Sequence, residues 1–333
     1  MTDSPLRRAS GSLFGLAYGD ALGRPTEFLT VAEIDDRFGP AGPRDLDGDP
    51  APVTDDTQMA LAVGWALRDA PRWTPEAVEP LLRQRFLDWA VSPDNNRAPG
   101  MTCLRACGEL GRGLRWQEAT EAGSKGCGAN MRVTPVGLLD VDLDTLAGLA
   151  QLQAGLTHGH PTGLAASELT AYAVRVLRDG ATLAELPALL TDRARTQRDV
   201  YRGDWLGDLW QRPGASTPQE FVARGWDECL AVLDRLTAAL AAPDDGGDPC
   251  RHTGEGWIAE EALVTALYCA VRHADDPVAA LTRGARTAGD SDSIAALAGA
   301  FVGAAHGMAA WPAGWATRIE YADQLTALAT GWD

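Results

Sequence analysis

Apolar residues along this 333-residue chain recur at intervals of three to four rather than two, the repeat of a helix with one buried face. The repeat is sustained over 57–70, 76–91, 143–156, 163–178, 218–241, 257–274, 278–287, 293–310 and 318–329, where Ala and Leu fill positions that favour helix. Strand-like signals are confined to a few short runs. The pattern predicts an all-α fold, a compact multi-helix bundle in which Ala and Gly let helices approach closely.

Polar or Gly/Pro-rich connections are expected at 35–53, 92–100, 121–137, 199–217 and 242–256. Connections this long inside a compact domain usually carry function or move. No linker divides the chain and no internal repeat appears, so residues 1–333 are expected to form one domain.

Composition narrows the partners. At 45% hydrophobic the chain can bury a sizeable core, and a net charge of −17 argues against nucleic acid or an anionic membrane, both of which need a positive face. An anionic small molecule stays possible, because metal ions and helix N-termini supply local positive charge. Lys125 is the only lysine, which leaves one candidate for any Schiff base. Without a signal-like segment or an apolar run long enough to span a bilayer, the protein is expected to be cytoplasmic. A monomer is expected. The six cysteines are too sparse for a disulfide framework and are expected to be reduced and mostly buried.

Two short clusters of acids and hydroxyls stand at opposite ends of the chain, Thr54-Asp55-Asp56 and Asp290-Ser291-Asp292-Ser293. Oxygen ligands select hard divalent cations, and carboxylates gathered without one would repel and raise each other's pKa values. Each cluster also reads as an ordinary helix start, since an acid precedes an apolar run in both. The two roles are compatible, because a helix start aims its acids in a fixed direction.

Other segments leave alternatives open. The glycines of Gly126-Cys127-Gly128-Ala129-Asn130-Met131-Arg132 would let backbone N–H groups approach a phosphate or ribose, and Arg132 is either a bidentate clamp or a structural partner. His158 and His160 have metal-ligand chemistry, but a turn at a helix start explains them equally well. Trp257, after Gly256, offers a flat face for stacking or simply fills core. Near the N-terminus, Gly15 to Phe28 runs from an apolar stretch with small residues into a Gly-Arg-Pro break that throws Glu27 out of the helix.

Gly19-Asp20-Ala21-Leu22-Gly23 with Glu27, then Val53-Thr54-Asp55-Asp56-Thr57-Gln58-Met59, then Ala288-Gly289-Asp290-Ser291-Asp292-Ser293-Ile294 closely resemble the ADP-ribosylglycohydrolase family, with the motifs in order over about 280 residues. The resemblance implies that family's orthogonal helical bundle and a hydrolase that releases ADP-ribose from modified protein side chains. It implies two Mg²⁺, with Mn²⁺ as an alternative, held by Thr54, Asp55, Asp56, Asp290, Asp292 and Ser293, where Ser293 replaces a threonine. Glu27 and Asp292 would be catalytic, and Asp20 would cap or brace the loop carrying Glu27. Gly126, Gly128, Asn130, Met131, Arg132, His158, Gly256 and Trp257 would contact the ADP-ribosyl group, with Trp257 on the adenine. Cys127 stands where the family has Asn, and Asn130 where it has a small residue.

Rival all-α metal enzymes fit less well. An Asp-Asp-x-x-Asp helix would need an acid at Met59, and no His-Asp dipeptide occurs. An arginine-linked ADP-ribosyl protein is the expected substrate. Serine-linked ADP-ribose, a small ADP-ribosyl compound, or a non-catalytic ADP-ribose binder are the alternatives.

Overall fold

The helical repeat is realised in most of the segments that carry it. The computed structural model, which describes residues 6–333, has eighteen α-helices, and among the described residues β-structure is limited to three isolated bridges. Thirteen helices have eight residues or more. They are α1 (Arg8–Gly23), α2 (Val31–Phe38), α3 (Asp55–Asp69), α4 (Pro75–Ala90), α5 (Met101–Gly111), α6 (Leu143–Gly155) and α7 (Pro161–Arg178), followed by α8 (Leu186–Gln197), α9 (Pro218–Ala241), α10 (Ala259–Arg272), α11 (Pro277–Ala285), α12 (Ser291–His306) and α13 (Ala322–Ala329). None is long and apolar enough to cross a membrane.

Where boundaries depart from the periodicity, local chemistry explains it. The 35–53 connection begins inside α2, which a Thr30/Glu33 capping box starts. Helix α12 starts two residues early, at Ser291, and stops at His306 because Gly307 turns to φ +77°. The 318–329 segment is helical only from Ala322, after a separate turn at Trp315–Arg318. Besides α2, two of the longer helices, α5 and α8, escaped the periodic reading. In α5 the buried positions are only Cys103, Ala106, Cys107 and Leu110, and in α8 one of the four buried positions is Arg193, paired with Glu168. All six cysteines are unpaired, and five are buried.

Helices α1 and α12 are buried on nearly every side and form the centre of the bundle. They run antiparallel in backbone contact. A Cβ added at Gly11 would lie 2.5 Å from the Gly303 carbonyl oxygen, at Gly15 2.3 Å from that of Gly299, at Gly19 2.0 Å from that of Ala295, and at Gly23 2.3 Å from Cα of Asp292. A glycine every fourth residue therefore makes a seam with no room for a methyl group. At its lower end the seam seats Gly23, and with it the Glu27 turn, against the start of α12.

Helix α3 is fastened to α1 by a single side chain. The buried Asp20 carboxylate accepts the backbone N–H of Thr54 (2.9 and 3.0 Å) and of Thr57 (3.1 Å), and the Thr57 hydroxyl (2.5 Å). Asp20 thus braces the start of α3. The turn carrying Glu27 is tied instead through Thr26, whose Oγ1 donates to the Gly23 carbonyl (2.7 Å) and meets Ser291 Oγ (2.9 Å).

The seam gives a paired prediction. Gly19→Ala should lower stability by about 1–3 kcal/mol, the usual cost of overpacking. Gly108→Ala, on α5 with nothing within 4 Å of the added carbon, should be neutral or stabilising. Urea titrations of both variants with a common m-value check this; equal midpoints would show that the seam tolerates a methyl group.

Candidate active site

The two acid clusters meet. Thr54 is the N-cap of α3, its Oγ1 accepting the Asp56 N–H at 3.3 Å, and the same hydroxyl lies 3.4 Å from Oδ2 of Asp56 and 3.4 Å from Oδ2 of Asp292. Asp290 occupies the N-cap position of α12, but its carboxylate makes no capping bond. Each cluster is a helix start, and each still has carboxylate oxygens to spare. The positive ends of both helix dipoles point at the same place.

Glu27 completes the gathering. One carboxylate oxygen from each of Glu27, Asp290 and Asp292 lies within 4.8 Å of the others. Together with Asp55, Asp56 and Ser293 they line a pocket of about 320 Å³ whose walls include Phe28, Met101, Cys103, Gly126, Cys127, Gly128, Met131, His158 and Trp257. Asp55 is held by the N–H of Gly100, 3.0 Å from its Oδ2.

Burial, and then the neighbouring acids, push these carboxyls up. Glu27 rises to about 9 through burial and the charges of Asp292, Asp55 and Asp20. Asp55 rises to about 7 through burial, opposed by the Gly100 N–H and reinforced by Asp292 and Asp20. Asp56 and Asp290 are lifted far above the normal range, each by burial and then by Asp292, and Asp292 is raised by burial. Oδ1 of Asp56 is buried without a hydrogen-bond partner, and among the described residues none of these carboxylates has a salt bridge to a base. A donor set of buried, unpaired hard oxygens fits a divalent cation and little else.

The remaining sequence candidates divide. Gly126, Gly128, Met131, His158 and Trp257 line the pocket, whereas Asn130, Arg132 and Gly256 lie behind its wall. Arg132 is fully buried and clamps no ligand there; it donates to Gln153 and Thr157 and lies 4.2 Å over the Phe86 ring. Asn130 Nδ2 donates to the Ala259 carbonyl (3.1 Å), which joins the glycine loop to α10. Gly256, at φ +84°, lets the chain pass Ile294 and Asp290 and delivers Trp257 to the pocket mouth. His160 caps α7, its Nδ1 accepting the Thr162 N–H (3.2 Å).

Several lining residues were not foreseen. Phe28 stacks on Trp257, with ring centroids 5.6 Å apart and planes at 15°, and holds φ +66° to do so. Its only sequence cue is that it directly follows Glu27. Met101, Thr102 and Cys103 arrive on α5, whose buried stripe has helical spacing but is built mostly of Cys and Ala, so it carries little apolar signal.

A family model described as ADP-ribosylglycohydrolase matches residues 1–332. The chain belongs to the ADP-ribosylglycohydrolase family. Members of this family hydrolyse glycosidic linkages to ADP-ribose, and that is the reaction class of this enzyme. Over nearly its whole length the chain is similar to the ADP-ribosyl-[dinitrogen reductase] glycohydrolase of Rhodospirillum rubrum (27% identity, 94% of this chain, 90% of the relative). Bovine ADP-ribosylhydrolase ARH3 is 28% identical over 97% of this chain and 92% of its own, and the ADP-ribosylarginine hydrolase Tri1 of Pseudomonas putida 25% over 98% and 78%. A solved structure titled ADP-ribosylglycohydrolase-related protein complex shares the fold, with a TM-score of 0.71 at 24% identity, covering 98% of this chain and 97% of that one.

The brace under α3 is testable separately from catalysis. Asp20→Ala strands the N–H groups of Thr54 and Thr57 in a buried place and should cost roughly 1–3 kcal/mol. Chemical denaturation measures the loss, and an unchanged midpoint would show that Asp20 does not fasten α3.

Proposed function

We propose that this ADP-ribosylglycohydrolase acts as one domain that removes ADP-ribose from modified protein side chains, with N-linked arginine as the preferred linkage. Two divalent cations, Mg²⁺ or alternatively Mn²⁺, would be held by Thr54, Asp55, Asp56, Asp290, Asp292 and Ser293. The observation that carries the reading is the convergence of four buried carboxylates and the half-buried Glu27, without a basic partner among the described residues, at the floor of one pocket. When bound, such ions act as Lewis acids and supply water that is easily deprotonated.

The chain's own groups account for binding and proton handling. Gly126, Gly128 and His158, which line the pocket, would meet the diphosphate and ribose, and Trp257 would offer its face to the adenine. Asp292, at the centre of the carboxylate group, would orient the ribose. Glu27 is the carboxylate on a turn outside the helices and would carry the proton. As the bond from the ribose anomeric carbon to the arginine nitrogen breaks, the leaving guanidine gains a proton and the anomeric carbon gains a hydroxyl from water.

Two features support arginine. A relative over most of the chain is named an ADP-ribosylarginine hydrolase. A net charge of −17 favours encounter with cationic protein surfaces, where a modified arginine commonly lies.

Chelation should abolish turnover of an ADP-ribosylated protein, and Mg²⁺ or Mn²⁺ should restore it and raise the melting temperature by relieving carboxylate repulsion. In the restored enzyme, Glu27→Gln should lower kcat by about 10²- to 10⁴-fold. Full activity after exhaustive chelation would refute the metal, and a wild-type kcat in Glu27→Gln would remove Glu27 from the chemistry.

The linkage is checked by ADP-ribose release from matched arginine- and serine-modified peptides at one ionic strength. Faster release from the arginine peptide is expected. Preference for serine would overturn the arginine assignment alone, and binding of ADP-ribose with no release from either would mark a non-catalytic relative.

A further inference from the structure

Arg132 is a buried cation with no carboxylate beside it. From Nε it donates to Oε1 of Gln153 (2.8 Å), and from Nη2 to the Gln153 carbonyl (2.6 Å) and to the hydroxyl of Thr157 (2.8 Å). A guanidinium only donates, so at this last contact the hydroxyl oxygen accepts. Thr157 keeps its own proton to give. Nδ1 of His158 lies 2.8 Å from the same oxygen, and among the described residues no other acceptor is within hydrogen-bonding distance of it.

Nδ1 of His158 therefore accepts, which requires that it carry no proton. Burial, then the charges of Arg132 and Arg105, depress the ring to about 3, so it is neutral near pH 7. A neutral imidazole with a bare Nδ1 has its proton on Nε2. That nitrogen sits beneath the glycine loop, 3.4 Å from where a Cβ would stand on Gly126 and 3.3 Å from one on Gly128, and His158 lines the pocket.

We propose that Arg132 and Thr157 are positioning residues that fix His158 as the Nε2-protonated tautomer, giving the pocket a permanent hydrogen-bond donor to an oxygen of the ADP-ribosyl group. The proposal rests on the ADP-ribose reading above. It gives the buried arginine a role at one remove from the ligand. In a pocket floored by carboxylates, a group that can only donate on Nε2 distinguishes the phosphate and ribose oxygens of the ligand from a donor approaching the same place.

Two measurements test it. Histidine-selective ¹⁵N NMR of the wild-type protein, with the five histidines assigned by substitution, should show His158 bare at Nδ1 and protonated at Nε2. Thr157→Val keeps the shape and removes the hydroxyl. It should lose that tautomer preference and bind ADP-ribose, read by calorimetry with Mg²⁺ present, about tenfold more weakly, and Thr157→Ser should recover both. A wild-type His158 protonated at Nδ1 would overturn the proposal, as would a folded Thr157→Val with wild-type affinity. If Thr157→Val does not fold, the wild-type and Thr157→Ser spectra decide. A wild-type protein that fails to bind ADP-ribose would instead strike the ADP-ribose reading, with the tautomer spectrum still deciding the arginine–threonine relay.

Discussion

Backbone contact between α1 and α12 is the constraint on which the site depends. Side chains keep most helix pairs 8–10 Å apart, and a glycine at every fourth position removes that spacing here. The result is a fixed register between two segments nearly 270 residues apart, with Gly23 against Asp292. Glu27 belongs to the turn that leaves α1, and Asp290 and Asp292 to the start of α12, so the seam decides how far apart their oxygens lie. Asp20 then hangs α3 on the same helix. Three separate stretches of sequence thus refer their carboxylates to one rigid element.

Gathering acids this way is unfavourable in itself. Burial and mutual repulsion both oppose ionisation, and the pocket has no arginine or lysine to offset them. What makes the arrangement tolerable is structural. The N-terminal ends of α3 and α12 face the carboxylates, the Gly100 N–H reaches Asp55, and the closely packed core around α1 and α12 fixes the helix starts. A rigid cage of unpaired oxygens is also what a cation requires, so the repulsion in the empty arrangement and the affinity of the filled one share a cause.

Much of this was legible in the sequence because it is local. The three-to-four repeat gives most helices, the break at Gly23-Arg24-Pro25 frees Glu27, and both acid clusters read as helix starts with oxygens in excess. Less legible was anything that depends on which side of a loop a side chain leaves. Arg132 follows a glycine-rich turn like a phosphate ligand, yet its side chain points into the core toward Gln153 and Thr157. Asp20 sits one turn before Gly23 and looks like a brace for the next turn, but its partners are 34 and 37 residues on. Phe28 has no cue beyond its place after Glu27, and its role appears only when Trp257 is brought across the pocket mouth.

The seam also sets a timetable. A ribosome releases α1 long before α12, with a glycine face that the segments in between cannot cover, and α3 follows with acids that have nothing to converge on. Only when α12 emerges, nearly 270 residues after Gly23, do the halves close on each other. A chain in which α12 has not yet formed can make most of its helices but cannot close the pocket, so the site is the last part of this topology to be assembled.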